Sequence, residues 1–471
     1  DSGDFGYHAL KPDDTKGIYE IRDFPEMGTR ELIAADYVYQ MKRLADARLS
    51  CPILSTLENY ILGMGEYAGE MQKALEAERE KRRAAAGATY NQAVNERKNP
   101  IALDLDAFPF PGAEVVDRYT YRIRLKTKYP QFVYWLAMPF FAPMPKEAID
   151  FYEQGLLQDR NITMDRFPVG TGPYRIDTLS SHKEIILVRN ENYHTEAYPS
   201  EGDAGDRESG LLDDAGARLP FIPKAVYKLE KEYIPQWNKF LQGYYDASGI
   251  SSDTFDQAIR FSDTGDARVS ELLGSRHIVL RTSVETSTAY LAFNMHDDVV
   301  GGYTEEKRNL RRAISVALDY EEYIEIFLNG RGVPSHSPIP PGIFGYEEGE
   351  IGINPYVYNW DTRQGAVRKS LDEARRLLAE AGYAGGQDKN GNPLVLYFDN
   401  SWTGSESTSI LNWMRKRFEL IGITMENRTT DYNRFQDKAR NGNFQILSWG
   451  WLADYPDPEN FLFLLYGPNS K

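Results

Sequence analysis

Trp449-Gly450-Trp451-Leu452-Ala453-Asp454-Tyr455-Pro456-Asp457-Pro458 follows an apolar, strand-like run, Phe444-Gln445-Ile446-Leu447, and precedes Phe461-Leu462-Phe463-Leu464-Leu465. Two indoles and a carboxylate are thus expected where a strand gives way to a proline-punctuated loop. A carboxylate beside indole rings and partly shielded from water attracts a small cation such as an ammonium group. The same residues suit a plainer role, a turn whose Asp caps local backbone groups and whose Trp side chains fill a core.

Outward from that stretch, strand and helix alternate. Ala289–Asn294 reads as a buried strand and Glu305–Leu318 as an amphipathic helix. Asp319 signals the cap of a second helix running to Leu328, closed by Asn329-Gly330. Ser370–Ala381 is helical up to Gly382, Leu394–Phe398 is a strand, Ile410–Ile421 a helix and Gln445–Leu447 a strand again. From about residue 287 the pattern is that of an α/β layer. Residues 168–285 are richer in strand: Pro168–Pro173 is a Gly/Pro turn feeding a strand, with Ile185–Arg189 as its partner. Gly170-Thr171-Gly172 is not a phosphate loop, because Pro173 removes an amide donor, no helix follows and no Lys-Ser/Thr pair closes it. Nearer the start, residues 28–48 read as a capped helix with Tyr37, Met41 and Leu44 on one face. Glu66–Ala86 reads as a solvated charged helix, Val115–Leu125 as a half-buried strand and Lys146 to about Gln154 as a helix. Residues 199–219, rich in Gly, Asp and Glu, read as a surface loop.

Composition narrows the function. The 471 residues give room for about three domain-sized units. A net charge of −16 argues against nucleic acid or an anionic membrane as partner. No apolar run reaches the roughly 20 residues of a membrane span. No signal peptide appears, and the opening Asp1-Ser2-Gly3 is compatible with a processed or truncated start. Cys51, the single cysteine, excludes an internal disulfide, and the six scattered histidines form no pair at metal-ligand spacing, so neither a metal nor another cofactor is expected.

Four segments together resemble the solute-binding proteins of peptide-importing ABC transporters, the group of oligopeptide- and dipeptide-binding proteins. They are Thr29–Asp46; Val169–Tyr174 followed by Val188–Tyr193; Leu310–Tyr320 with Asn329–Gly332 and Pro338–Gly342; and Trp451–Pro458. The resemblance implies an α/β, two-lobe periplasmic binding protein-like fold (class II, large type with an extra small domain) that encloses its ligand between the lobes. By analogy residues 1–165 are the extra small domain, 168–285 part of the first lobe and 287–471 the second lobe. The family's strand before the residue 28 helix, and its stretch after a segment like Phe461–Leu465, are not apparent in the chain.

The resemblance gives Asp454 the role of holding a peptide's amino terminus, Trp451 that of a flanking aromatic and Tyr432 a place on the pocket lining. Trp449 stands with Ser448 where some members carry a base for ligand carboxylates, and Arg440 is a substitute. Asn294 is expected either to bridge backbone groups at a lobe crossing or to touch ligand. His336 is expected in a loop. The implied partners are a peptide or similar amine-bearing solute and the membrane permease of an ABC importer, with the protein a periplasmic or otherwise extracytoplasmic monomer, free or lipid-anchored. An oligosaccharide or nickel complex is the alternative solute. A hydrolase using Asp454 and Asp457 is a remote alternative, because no nucleophile elbow, zinc motif or phosphate loop accompanies them.

Overall fold

A computed structural model describes residues 10–25, 28–49, 51–180, 182–194, 196–261 and 267–467. The chain divides into two compact units, residues 1–229 and 230–471. The division between them falls inside the segment expected to run from 168 to 285.

In the first unit, helix α1 (Ala34–Arg43) is shorter than the expected 28–48. Its start is fixed by Asp36, which accepts the Ile33 N–H at 3.0 Å and pairs with Arg30. Residues 28–33 are held extended by that pair and by the Arg30–Glu147 bridge. The charged segment is α2 (Met64–Ala86), which buries Met64, Tyr67, Met71 and Leu75 while its second half carries the solvated charges. The single strand expected over Val115–Leu125 is instead a hairpin, β1 (Ala113–Asp117) and β2 (Thr120–Ile123). Asp117 turns the chain there, its Oδ1 accepting the Tyr119 N–H at 2.9 Å, an Asx-type turn. Helix α3 (Lys146–Tyr152) lies where expected. An antiparallel sheet follows, β3 (Tyr174–Ser180), β4 (Glu184–Arg189) and β5 (Lys224–Lys228). Asn190, just after β4, ties that strand's end to the Gly-Thr-Gly-Pro-Tyr motif, its side-chain amide donating to Gly172 O and its backbone N–H to Pro173 O, both at 2.9 Å.

The second unit opens with two short helices, Tyr233–Leu241 and Ser252–Ala258, followed by a short antiparallel pair, β6 (Ile259–Phe261) and β7 (Ala267–Val269). Its main sheet has the order β12-β11-β13-β8, where β8 is Ser287–Phe293, β11 Val395–Asn400, β12 Thr424–Thr429 and β13 Ile446–Leu452. A separate hairpin, β9 (Tyr358–Asp361) and β10 (Gly365–Arg368), precedes the parallel strands. β11 runs parallel to β12 and β13, and β13 pairs antiparallel with β8 in a seven-residue ladder.

One face of this sheet is covered by α4 (Glu305–Ala317), α6 (Leu371–Glu380) and α7 (Ser405–Glu419). Leu310, Ile314, Leu378, Met414 and Phe418 pack there on Leu396, Phe398, Met425 and Ile446, all at most 4% exposed. Burial on this scale is the dominant favourable term in folding. α7 begins five residues before the expected Ile410, with Gly404 at a positive φ of 90° just ahead of it. Between α4 and α7 in the chain, α5 (Tyr320–Leu328) is capped by Asp319, whose side chain accepts the Glu322 N–H at 3.0 Å. It ends on Asn329 and Gly330, both left-handed, as the sequence suggests. The other sheet face receives α8 (Tyr432–Arg440).

Candidate functional site

β13 carries Trp449 and Trp451, and residues two apart on a strand share a face. Trp449 faces α8: its ring lies 5.0 Å from buried Phe435 and 6.4 Å, edge-on, from Tyr432. Tyr432 and Phe435 reach it together because residues three apart on a helix share a side. Tyr432, at the first turn of α8, is 53% exposed, and Trp449 is half-buried, so this aromatic corner stays open to solvent. Across the β13–β8 ladder Trp449 stands opposite Tyr290, whose phenol pKa burial raises.

Trp451 is held at the strand's end by two contacts, an edge-on packing against Phe463 with ring centres 5.2 Å apart, and a hydrogen bond from its indole N–H to Asn460 Oδ1 at 2.9 Å. That same oxygen accepts the backbone N–H of Asp454, also at 2.9 Å. Asn460, 2% exposed, opens the short helix α9 (Glu459–Leu462) one residue in, and is placed by the Pro456-Asp457-Pro458 bend before it. Asp457 shapes the bend: its Oδ1 accepts the Glu459 N–H at 2.9 Å. Asp457 therefore works as a turn residue. Tyr455, buried, anchors the loop through its hydroxyl to Glu459 at 2.5 Å.

Asp454 itself is exposed, and its nearest polar side chain is the Asn460 amide, 3.5 Å from Oδ2. Among the described residues no Lys, Arg or His forms an ion pair with it. A carboxylate pre-set beside an indole and lacking an internal cation is suited to receive an external one.

Not every expected residue joins this group. Asn294 lies just past the opposite end of the β13–β8 ladder, about 23 Å from Leu452 at 3.3 Å per strand residue. Both its amide hydrogens are engaged, by Gly442 O at 2.9 Å and Phe444 O at 2.8 Å, and its Oδ1 accepts the His296 N–H. Of its two expected roles it performs the backbone bridge, inside the second unit rather than at a crossing between units. Arg440 ends α8, about 12 Å along the helix axis from Tyr432, and is exposed. His336 sits in its loop, edge-on to Tyr358 with ring centres 4.5 Å apart. Asn460 carries only a faint signal in the sequence, an amide two residues after a Pro-Asp-Pro bend.

Two open hollows in the first unit contain none of these residues. One, of about 520 Å³, runs beside α2 and includes Met71, Arg82, Ile101 and Phe108. The other, of about 700 Å³, is lined by charged groups that already neutralise one another: Arg30 with Asp36 and Glu147, Lys42 with Asp106, Arg118 with Glu31. Among the described residues no group of His, Cys, Asp or Glu is arranged to hold a metal ion, and no helix is long and apolar enough to cross a membrane.

The architecture is that of the two-lobe α/β periplasmic binding proteins. The murein tripeptide binding protein of Escherichia coli superposes with a TM-score of 0.61 at 18% identity, over 94% of this chain and 68% of that one. The chain belongs to the bacterial extracellular solute-binding proteins, family 5, whose middle-region profile matches residues 28–471. Curated relatives include the periplasmic oligopeptide-binding protein of Salmonella typhimurium, 23% identical over 441 residues, which cover 93% of this chain and 64% of that protein. The heme-binding protein A of Haemophilus influenzae is 24% identical over 370 residues, 77% of this chain and 56% of that protein. The chain thus spans less than two thirds of the length of these relatives.

Proposed function

We propose that this chain is the ligand-capturing part of an ABC importer's solute-binding protein and takes up peptides or a similar amine-bearing solute. The observation that carries this is the exposed Asp454 carboxylate, without a cationic partner among the described residues and fixed next to Trp451 by Asn460. The ligand's ammonium pairs with Asp454, Trp451 flanks it, and Trp449 and Tyr432 offer aromatic surface further along the same sheet face. Asn294 is left out of the ligand set, since its amide is engaged with backbone. No bond is made or broken in the ligand. Family membership supports an extracytoplasmic protein, periplasmic or lipid-anchored, that acts as a monomer and hands its ligand to a membrane permease. It also supports the finer division into residues 1–165, 168–285 and 287–471, with ligand enclosed between two lobes.

Calorimetry on four combinations tests the assignment: wild type and Asp454→Asn, each with a free-amine peptide and its N-acetylated form, the peptide being chosen from ligand that co-purifies in native mass spectrometry. A charge-assisted hydrogen bond contributes roughly 1.5–3 kcal/mol. Wild type should therefore prefer the free amine by at least about tenfold, and Asp454→Asn should lose that preference. Equal losses for both peptides would make Asp454 a scaffold residue.

A further inference from the structure

The second unit buries a carboxylate that the site described above does not use. Asp399, on β11, is 0% exposed and is paired with Lys438 of α8, while its second oxygen, Oδ2, is buried with no hydrogen-bond partner among the described residues. A buried ion pair of this kind contributes little to stability, because desolvating two charges costs as much as their attraction returns, and an unmet oxygen adds to the cost. An apolar pair of the same volume would hold the helix down as well or better. What an ion pair supplies and an apolar contact lacks is a fixed register.

The register in question is that of α8 on the sheet. Asp399 stands opposite Leu447 in the β11–β13 ladder, and Trp449 lies two residues, about 7 Å, further along the same face. On α8, Phe435 lies three residues beyond Tyr432 and three before Lys438, so it stands between them, about 60° around the helix from each. Lys438 over Asp399 then places Phe435 and Tyr432 over Trp449, with the helix running antiparallel to β13, as a β12–α8–β13 crossover requires. A slip of one residue would move Tyr432 about 1.5 Å along the helix axis and turn it about 100° away from the indole.

We infer that Asp399 and Lys438 are a positioning pair that fixes the register of α8 and thereby shapes the aromatic corner of Tyr432, Phe435 and Trp449. As a statement about the ligand it rests on the proposed function; as a statement about Trp449 it does not.

The test uses the full chain labelled with 5-fluorotryptophan, the Trp449 resonance being assigned by Trp449→Phe. In the double variant Asp399→Leu/Lys438→Met the melting temperature should hold or rise, while the Trp449 fluorine signal should split or broaden as the helix samples more than one register. Lys438→Arg, which keeps the charge and alters its reach, should give one sharp but shifted signal. Affinity for the free-amine peptide should fall about tenfold in the double variant, in the range of couplings between residues that share a network, with the preference over the acetylated form retained. A double variant that fails to fold, or one whose Trp449 signal stays as in wild type, overturns the inference. If no form binds peptide and the Trp449 signal still splits, the positioning role stands and the proposed function falls.

Discussion

Removing Asn460 should damage the Trp451–Asp454 loop by a calculable amount. One side-chain oxygen accepts from the Trp451 indole and the Asp454 amide, each at 2.9 Å, within a residue only 2% exposed. In Asn460→Ala both bonds go. The exposed Asp454 regains water at its amide, so that side loses only a net hydrogen bond, about 1 kcal/mol. The half-buried indole N–H is left unmet, which costs about 1–3 kcal/mol, and the total loss is about 2–4 kcal/mol.

Asn460→Asp is the informative control. It keeps the accepting oxygen but sets a second carboxylate beside Asp454, whose Oδ2 is 3.5 Å from the amide nitrogen being replaced. Two carboxylates that close share a proton, so the folded pair has a raised pKa. The folded state then binds more protons than the unfolded one, and stability rises as pH falls. Urea unfolding at pH 7 and pH 5, with hydrogen–deuterium exchange over residues 450–461, reads both variants. Asn460→Ala should be weaker at both pH values and should expose the Asp454 amide. Asn460→Asp should be weak at pH 7 and recover at pH 5. An alanine variant within about 0.5 kcal/mol of wild type, the range of an inert surface change, and with unaltered exchange at Asp454 would refute the role given to Asn460.

Gly450 has a non-positive φ, and a Cβ built on it meets nothing nearer than Thr288 O at 3.6 Å, so Gly450→Ala should leave thermal stability unchanged or raise it by about 0.5–1 kcal/mol; because residue 450 points to the sheet face opposite Trp449 and Trp451, peptide affinity by calorimetry should stay as in wild type. Burial is the main influence holding the His336 imidazole below its ordinary pKa of 6.5, with Glu321 opposing and Arg368 adding to it. Below pH 6.5 the unfolded chain therefore takes up a proton that the folded chain resists, stability is lost as pH drops through that value, and His336→Phe should flatten this acid-side slope in thermal melts between pH 7.5 and 5. Asp319→Ala removes the α5 cap and the 3.0 Å bridge to Arg417, and should cost about 1–2 kcal/mol in urea unfolding; Asp319→Asn, which can still cap, should recover most of it.

Features set by neighbours in sequence were legible in the chain. The amphipathic helix from Glu305, the Asp319 cap, the Asn329-Gly330 stop and the Gly/Pro turn into β3 all carry local signals, and all formed; the last strand formed too but runs past the expected Leu447 to Leu452. Features set by distant partners were not. α1 begins six residues later than its pattern suggests because Arg30 is held by both Asp36 and Glu147, the latter more than a hundred positions away. The β1–β2 turn at Arg118-Tyr119 has neither Gly nor Pro, and only the Asp117 side chain marks it. Asn294 reads equally well as a ligand group or a backbone bridge until Gly442 and Phe444 are seen beside it. Asn460 is not legible in the sequence because its two partners, one a side chain and one a backbone amide, converge only once the Pro-Asp-Pro bend has formed.

The β8–β13 ladder sets a timetable for the ribosome. Tyr290 pairs opposite Trp449, a separation of 159 positions (449 − 290), and seven residue pairs depend on it. At about 5–20 residues per second, β8 leaves the tunnel roughly 8–32 s before its partner strand does. Throughout that interval Tyr290-Leu291-Ala292-Phe293 is an apolar strand with no neighbour on the β13 side, the kind of edge on which nascent chains aggregate or recruit chaperones. Slow codons read while β8 is outside the tunnel and β13 is still within it would lengthen that exposure, and slow codons read before β8 emerges would not.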